Sequence, residues 1–355
     1  MSVQVELRRS FGDFSLDVQF DAPSRGVTAL FGPSGAGKTS ILRAVAGLDP
    51  RTQGTIRIGK DCWQENDTLF VQPERRRVGY VFQEPSLFEH LNVAENIDFG
   101  LKRNDAAPTA HRDALIRLLA LEPLLHRDVR TLSGGERRRI AITRALAPAP
   151  RLLLLDEPLA GLDRARKAEL LPFLEELVGT LDLPVLLVSH DLDEVARLAD
   201  HLVLLENGRV VASGRLQDTL ARLDLPLAQA EDASAVLSGQ VSAVDETWGL
   251  AEIVVGESRL QVPAGTLRSG QEVRLRIAAR DVSLALDPPV RSSILNILAG
   301  TVAQRVDRPP LTQLELTLAD GTPLLARVTC KSADHLALQP GVSVYAQIKS
   351  VAVLP

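Results

Sequence analysis

Gly32-Pro33-Ser34-Gly35-Ala36-Gly37-Lys38-Thr39 follows the apolar run Val27 to Phe31 and precedes Ser40 to Ala46, a stretch with the Ile, Leu and Ala content of a helix stopped at Gly47. The octapeptide fits G-x-x-x-x-G-K-[ST], the phosphate-binding loop, and has the strand before it and the helix after it that the motif requires. Gly35 and Gly37 let the backbone wrap with its N–H groups inward, Lys38 reaches the terminal phosphates, and the Thr39 hydroxyl suits Mg2+. Gly32, Pro33, Ser34, Ala36 and Ser40 complete the binding positions, and the phosphates also meet the positive end of a helix dipole. The ligand implied is a nucleoside triphosphate.

Upstream, Val3 to Leu7 and Phe14 to Phe20 alternate apolar and polar as antiparallel strands do. Phe11 lies about twenty residues before the loop, where an aromatic stacks on an adenine ring or fills a turn. Downstream, Gly54 to Ile58 and Arg77 to Gln83 are strand-like, the second run ending on the polar Gln83. From Leu91 to Ala147 the period becomes helical, as in Asp113 to Leu121. Within this insert, Leu132-Ser133-Gly134-Gly135-Glu136 opens a helix over Arg137 to Leu146, so Ser133 and two glycines sit at a helix N-terminus. Beside a phosphate loop this is a second phosphate-binding surface.

Leu152 to Leu155 is continuously apolar and ends in Asp156-Glu157, the pattern of a parallel strand covered on both faces whose carboxyl end opens into a site. Asp156 is placed to hold the Mg2+ shell and Glu157 to take a proton from an attacking water. Val185 to Val188 repeats the pattern and ends in Ser189-His190-Asp191, which puts His190 within reach of a γ-phosphate. Leu202 to Leu205, Asn207-Gly208 and Arg209 to Ala212 close the domain as a hairpin.

The net charge of −5 argues against nucleic acid as a partner, and the runs Arg75-Arg76-Arg77 and Arg137-Arg138-Arg139 read as solvated faces. No apolar window is long enough to span a bilayer and the N-terminus lacks a secretory pattern, so a chain soluble on its own is expected. Cys62 and Cys330 lie far apart and indicate neither a disulfide framework nor a zinc site.

Taken together and in this order, the phosphate loop, Gln83, the Leu132–Glu136 signature, Asp156-Glu157, Leu162-Asp163 and His190 resemble the nucleotide-binding subunit of an ABC transporter over about the first 225 residues. The resemblance implies an α/β fold: a P-loop ABC ATPase domain, with a RecA-like core and a helical subdomain, followed by a small all-β accessory domain of the oligonucleotide-binding (OB-like) type. It implies a head-to-tail homodimer in which ATP lies between one copy's phosphate loop and the other's Ser133, Gly134, Gly135 and Glu136. It carries Gln83 onto magnesium and permease coupling, Asp163 onto a dimer-contact loop and His190 onto the γ-phosphate. It further implies integral membrane permease subunits, a periplasmic or extracellular binding protein acting indirectly, and a place on the cytoplasmic face of the membrane. A repair or chromosome ATPase would carry long coiled-coil inserts, and none is present.

The domains expected are residues 1–228, with the helical insert about 84–150, then 229–290 and 291–355, joined by a soft linker over Leu225 to Ser238. The tail is duplicated: Leu237-Ser238-Gly239-Gln240-Val241 matches Leu298-Ala299-Gly300-Thr301-Val302, and Gly270 to Ile277 matches Gly341 to Ile348. Its second copy resembles the molybdate-binding accessory domain in Arg291 to Asn296, Lys331 to Asp334 and Val344 to Val353. Ser292, Ser293, Lys331 and Ser332 suit a tetrahedral oxyanion, molybdate or tungstate, in a regulatory role. Leu295 stands where oxyanion-binding members often have Arg. The resemblance implies a molybdate importer ahead of importers for sulfate or thiosulfate, iron or other solutes.

Overall fold

The computed structural model describes residues 2–101 and 109–354; residues 102–108, in the expected helical insert, and the terminal Met1 and Pro355 lie outside the described residues. The chain divides into two compact units, Met1–Gly214 and Arg215–Pro355.

In the first unit, β1 (Val3–Phe11), β2 (Phe14–Ala22) and β3 (Gly26–Phe31) lead through the phosphate loop into α1 (Lys38–Val45). There follow β4 (Gln53–Ile58), β5 (Asp61–Glu65), β6 (Leu69–Phe70), β7 (Val78–Val81), α2 (Val93–Asp98), α3 (Thr109–Leu118) and α4 (Gly134–Leu146). The unit ends with β8 (Leu152–Asp156), α5 (Arg164–Thr180), β9 (Pro184–Val188), α6 (Leu192–Leu198), β10 (His201–Glu206) and β11 (Arg209–Arg215). One sheet takes the order β6-β5-β4-β1-β2-β11-β10-β3-β9-β8-β7. Its β10, β3, β9, β8 and β7 run parallel, so their carboxyl ends lie along one edge of the sheet. In β1, Val3, Val5 and Leu7 turn inward as their alternation predicts, whereas every residue of β8 and β9 is buried, as for strands covered on both faces.

The arginine runs correct the reading of solvated faces. Arg76 and Arg138, the middle residue of each run, are only 3% and 4% exposed. Arg76 donates to the carbonyls of Ala44 at 2.9 Å, Val45 at 2.8 Å and Val71 at 2.8 Å, which ties down the carboxyl end of α1. The carbonyls at a helix end are the groups left without intrahelical partners. A buried guanidinium is tolerated here because its fork meets several main-chain acceptors at once.

The second unit begins with α7 (Leu216–Ala221) and α8 (Pro226–Gln229). It continues with β12 (Ser234–Asp245), β13 (Leu250–Val255), β14 (Ser258–Pro263), β15 (Glu272–Ala278), β16 (Val282–Ala285) and β17 (Asn296–Arg308). Its last elements are β18 (Leu311–Leu318), β19 (Pro323–Thr329), α9 (Cys330–His335), β20 (Ser343–Ile348) and β21 (Ala352–Leu354). The soft linker is not there: Leu223, Ala228 and Ala233 pack with Ala279 and Leu325, and β12 already starts at Ser234. The apolar residues of this segment are spaced too irregularly for one helix or strand, which is why its packing does not show in the sequence.

The duplication survives in the hydrogen bonds. Gly270 N donates to Val241 O and Gly341 N to Val302 O, both at 2.8 Å, and each long strand has a register shift just after that valine. The copies also exchange their last strands. The sheets are β14-β13-β12-β15-β21 and β16-β20-β17-β18-β19, so β16 of the first copy joins the second copy's sheet and β21 returns to the first. The two sheets share one apolar core, from Ala235 to Ile348.

Candidate functional site

The loop after β3 exists because glycine takes backbone shapes that other residues resist. Gly37 has φ 95°, and a Cβ there would lie 2.7 Å from Leu16 Cδ1. Behind it, Lys38 is buried and its Nζ donates to the carbonyls of Gly32 at 2.7 Å and Pro33 at 2.9 Å, bracing the loop from inside. Burial pulls the lysine's pKa down, against the opposing pull of Glu157 and Asp156. Ala36 is buried, so its contribution is main chain.

A groove of about 300 Å³ opens beside the loop, lined by Phe11, Phe14, Ser34, Gly35, Gly37, Lys38, Thr39, Ser40 and Glu157. Phe11 and Phe14 sit with ring centroids 6.1 Å apart, and the Arg9 guanidinium lies 5.1 Å from the Phe11 centroid. The geometry therefore puts an aromatic pair, not one ring, at the mouth of the groove.

Thr39 and Asp156 come together across the sheet: Thr39 Oγ1 donates to Asp156 Oδ1 and Tyr80 Oη to Asp156 Oδ2, each at 2.9 Å. Burial raises the Asp156 pKa although both hydrogen bonds lower it. Tyr80 gives no signal in the sequence, where it reads as one more aromatic in a strand. Burial, then the neighbouring Asp156, pushes its hydroxyl pKa upward, so it stays a donor. Thr39 and Asp156 are in contact and Gln83 lies against Glu157; their side-chain oxygens are of the type a hard divalent cation such as Mg2+ takes.

Glu157 adopts φ 47°, a left-handed conformation uncommon outside glycine, and its N–H donates to Val188 O at 3.0 Å. Its carboxylate is held between Gln83 Nε2 at 3.3 Å and His190 Nδ1 at 3.4 Å. Residues from the ends of β7, β8 and β9 thus meet at one point. Arg138 fixes the main chain of the first two, donating to the carbonyls of Gln83 at 2.9 Å and Glu157 at 3.2 Å, and also to that of Ala160 at 3.0 Å.

Ser133 and Glu136 form a reciprocal cap at α4: Glu136 N donates to Ser133 Oγ at 3.2 Å, and Ser133 N to Glu136 Oε2 at 2.7 Å. Gly134 and Gly135 begin the helix, and none of residues 133–136 lines the groove of their own chain. Asp163 caps α5, accepting from Arg166 N at 2.9 Å.

In the second unit, Ser292 Oγ accepts from Ile294 N at 3.0 Å and lies 3.5 Å from Gln347 Oε1, with Ser293 exposed beside it. Lys331 and Ser332 belong to the first turn of α9, whose cap Thr329 accepts from Ser332 N at 3.1 Å. No hydrogen bond among the described residues joins the two pairs, and Leu295 is 66% exposed.

Comparison with known proteins agrees with this geometry. The model of the ABC transporter family matches residues 16–160 and that of the TOBE domain residues 292–355. The chain is 51% identical over 357 residues to the molybdenum import ATP-binding protein ModC of Pseudomonas aeruginosa, with 99% of each chain covered. It is 50% identical over 356 residues to the protein of that name from Thiobacillus denitrificans, covering 99% of this chain and 98% of the relative. Among solved structures, the cbiO1 component of a Clostridium perfringens ABC transporter complex aligns at 26% identity with TM-score 0.52, over 62% of this chain and 90% of that one. A dimeric ATP-binding cassette in a post-hydrolysis state with ADP and Pi aligns at 25% identity with TM-score 0.51, over 61% of this chain and 99% of that one.

Proposed function

The chain belongs to the ABC transporter family, and from that premise we propose that it is the ATP-hydrolysing subunit that powers molybdate import through a separate membrane permease. The observation that carries this reading is the groove walled by Lys38, Thr39 and Glu157, in a chain that matches molybdenum importers from end to end. No helix of the described residues is long and apolar enough to cross a membrane. In this reading partner subunits supply the pore and the chain sits peripherally on the cytoplasmic face. A binding protein outside the membrane delivers the anion.

In this mechanism the groove takes the triphosphate, with the loop N–H groups and Lys38 on its phosphates and Phe11 and Phe14 against the base. Thr39, Gln83 and Asp156 would hold Mg2+, which supplies charge neutralisation on the phosphates. Glu157 accepts the proton of the attacking water and His190 orients the γ-phosphate. A second copy, placed head to tail, contributes Ser133 to Glu136, and Asp163 lies in the contact between copies. The boundaries 1–228, 229–290 and 291–355 remain our functional division of the chain, with the tail as a sensor of cytoplasmic oxyanion. Ser292 and Ser293 of one copy and Lys331 and Ser332 of another would then complete one molybdate or tungstate site.

The test is ATP hydrolysis and uptake by the full chain reconstituted with its permease and binding protein. Molybdate should stimulate both, and sulfate, thiosulfate or iron should not. Stimulation by one of those in place of molybdate would move the chain to another importer class. For the tail, added internal molybdate should inhibit hydrolysis, and Lys331→Ala should relieve the inhibition. An equal response in wild type and Lys331→Ala would leave the tail without this role.

A further inference from the structure

Lys167 does not line the groove, yet it joins two segments that serve it. It lies one turn into α5, where its N–H donates to the carbonyl of Asp163 at 2.9 Å, so it moves with the loop that Asp163 terminates. Its Nζ bridges two carboxylates at the start of α6, Asp191 Oδ2 of the N-cap at 2.9 Å and Glu194 Oε1 of the first turn at 2.7 Å. The other Glu194 oxygen accepts from Ser189 Oγ at 2.7 Å, and Ser189 Oγ in turn accepts from Asp191 N at 3.0 Å. The residues on either side of His190 are therefore pinned, while the imidazole itself is exposed and turned to Glu157. Ser189 and Glu194 are buried, at 2% and 6% exposure, while Lys167 and Asp191 are half-buried, so loss of the ammonium leaves the buried Glu194 carboxylate short of its charged partner. Glu194 also acts on Arg138, whose pKa burial lowers and the Glu194 charge pulls back up.

We propose that Lys167 is a positioning residue for His190, transmitting the placement of the Asp163 loop to the imidazole through Asp191 and Glu194. The inference rests on the reading of His190 as the residue that orients the γ-phosphate. When a second copy packs against the Asp163 loop, the first turn of α5 and the ammonium it carries take up one position. The segment flanking His190 follows, because the ammonium holds the Asp191 carboxylate directly and Ser189 through Glu194, by two charge-assisted contacts.

The experiment uses the full chain and compares Lys167→Met, Lys167→Arg, Glu194→Gln and His190→Ala, alone and with Lys167→Met added to His190→Ala. Lys167→Met should lower kcat by about 10- to 100-fold, the size of effect a misplacement near 1 Å produces, with KM and nucleotide affinity changed less than about two-fold. Lys167→Arg should recover most of the rate, and Glu194→Gln, which keeps the shape, should reproduce part of the loss. In the His190→Ala background, Lys167→Met should cost almost nothing more. The same fold-loss in both backgrounds, or a loss of nucleotide affinity matching the loss of kcat, would overturn the proposal. A normal kcat for His190→Ala would instead sink the underlying reading of the histidine, so the two failures are separable.

Discussion

His190 Nδ1 stands 3.4 Å from Glu157 Oε1, while Gln83 Nε2 lies 3.3 Å from the other oxygen of the same carboxylate. The contact joins the ends of β8 and β9, and it gives the carboxylate two partners that hold it facing the groove. If Glu157 is the base, Glu157→Gln should bind ATP normally and hydrolyse it about 10²- to 10⁴-fold more slowly, the usual cost of a lost general base. Single-turnover hydrolysis measures this, and a near-normal rate would remove Glu157 from the role. The ATP-bound dimer should also accumulate in size-exclusion runs with the variant.

The reciprocal cap of Ser133 and Glu136 lies outside the groove of its own chain, so hydrolysis should need two copies. Specific activity should rise with enzyme concentration below the dimerisation constant. A mixture of Lys38→Ala and Ser133→Arg chains should regain activity that neither has alone, because one composite site in the mixed dimer is intact. Constant specific activity from a demonstrated monomer would refute the split site.

Asp156 gives a prediction with a definite sign. Burial raises its pKa above the ordinary 3.8, so its contribution to folding is greatest below that value and is lost as pH rises through the raised folded value. At neutral pH the ionised form is the costly one until a cation meets it. Asp156→Asn should therefore raise the nucleotide-free melting temperature at pH 7, with the gain shrinking as pH falls toward the carboxylate range. The same variant should lose Mg2+-dependent hydrolysis. A lower melting temperature at pH 7 would contradict the account.

Arg76 ties the carboxyl end of the helix whose other end carries Lys38 and Thr39. Arg76→Met removes a buried charge but strands the Val45 and Val71 carbonyls, while Ala44 and Trp63 keep their bonds from Gly47 N and Val71 N; the stranding should win, destabilising the first unit by about 2–4 kcal/mol. Arg76→Lys should recover less than half, since one ammonium cannot span acceptors that a planar fork reaches. Urea unfolding followed by tryptophan fluorescence measures both; Trp63 belongs to this unit's core. Equal stability of Arg76→Met and wild type would show that solvent satisfies those carbonyls.

The sequence by itself determined what depends on neighbours a few residues away. The phosphate loop, the Ser133–Glu136 cap, the buried strand ending in Asp156-Glu157 and the paired tail motifs are set by backbone preference and spacing of i to i+3 or i to i+4, so they can be read without a fold. Tertiary structure alone decided which of three adjacent arginines is buried. Arg75, Arg76 and Arg77 are the same residue locally, and only the position of the α1 carboxyl end selects Arg76. It also decided that Tyr80 meets Asp156, that Lys167 reaches across to Asp191 and Glu194, and that the duplicated copies trade β16 and β21. Each of these depends on which strands lie side by side, and that order is fixed by burial of the whole chain's apolar surface, which no short stretch encodes.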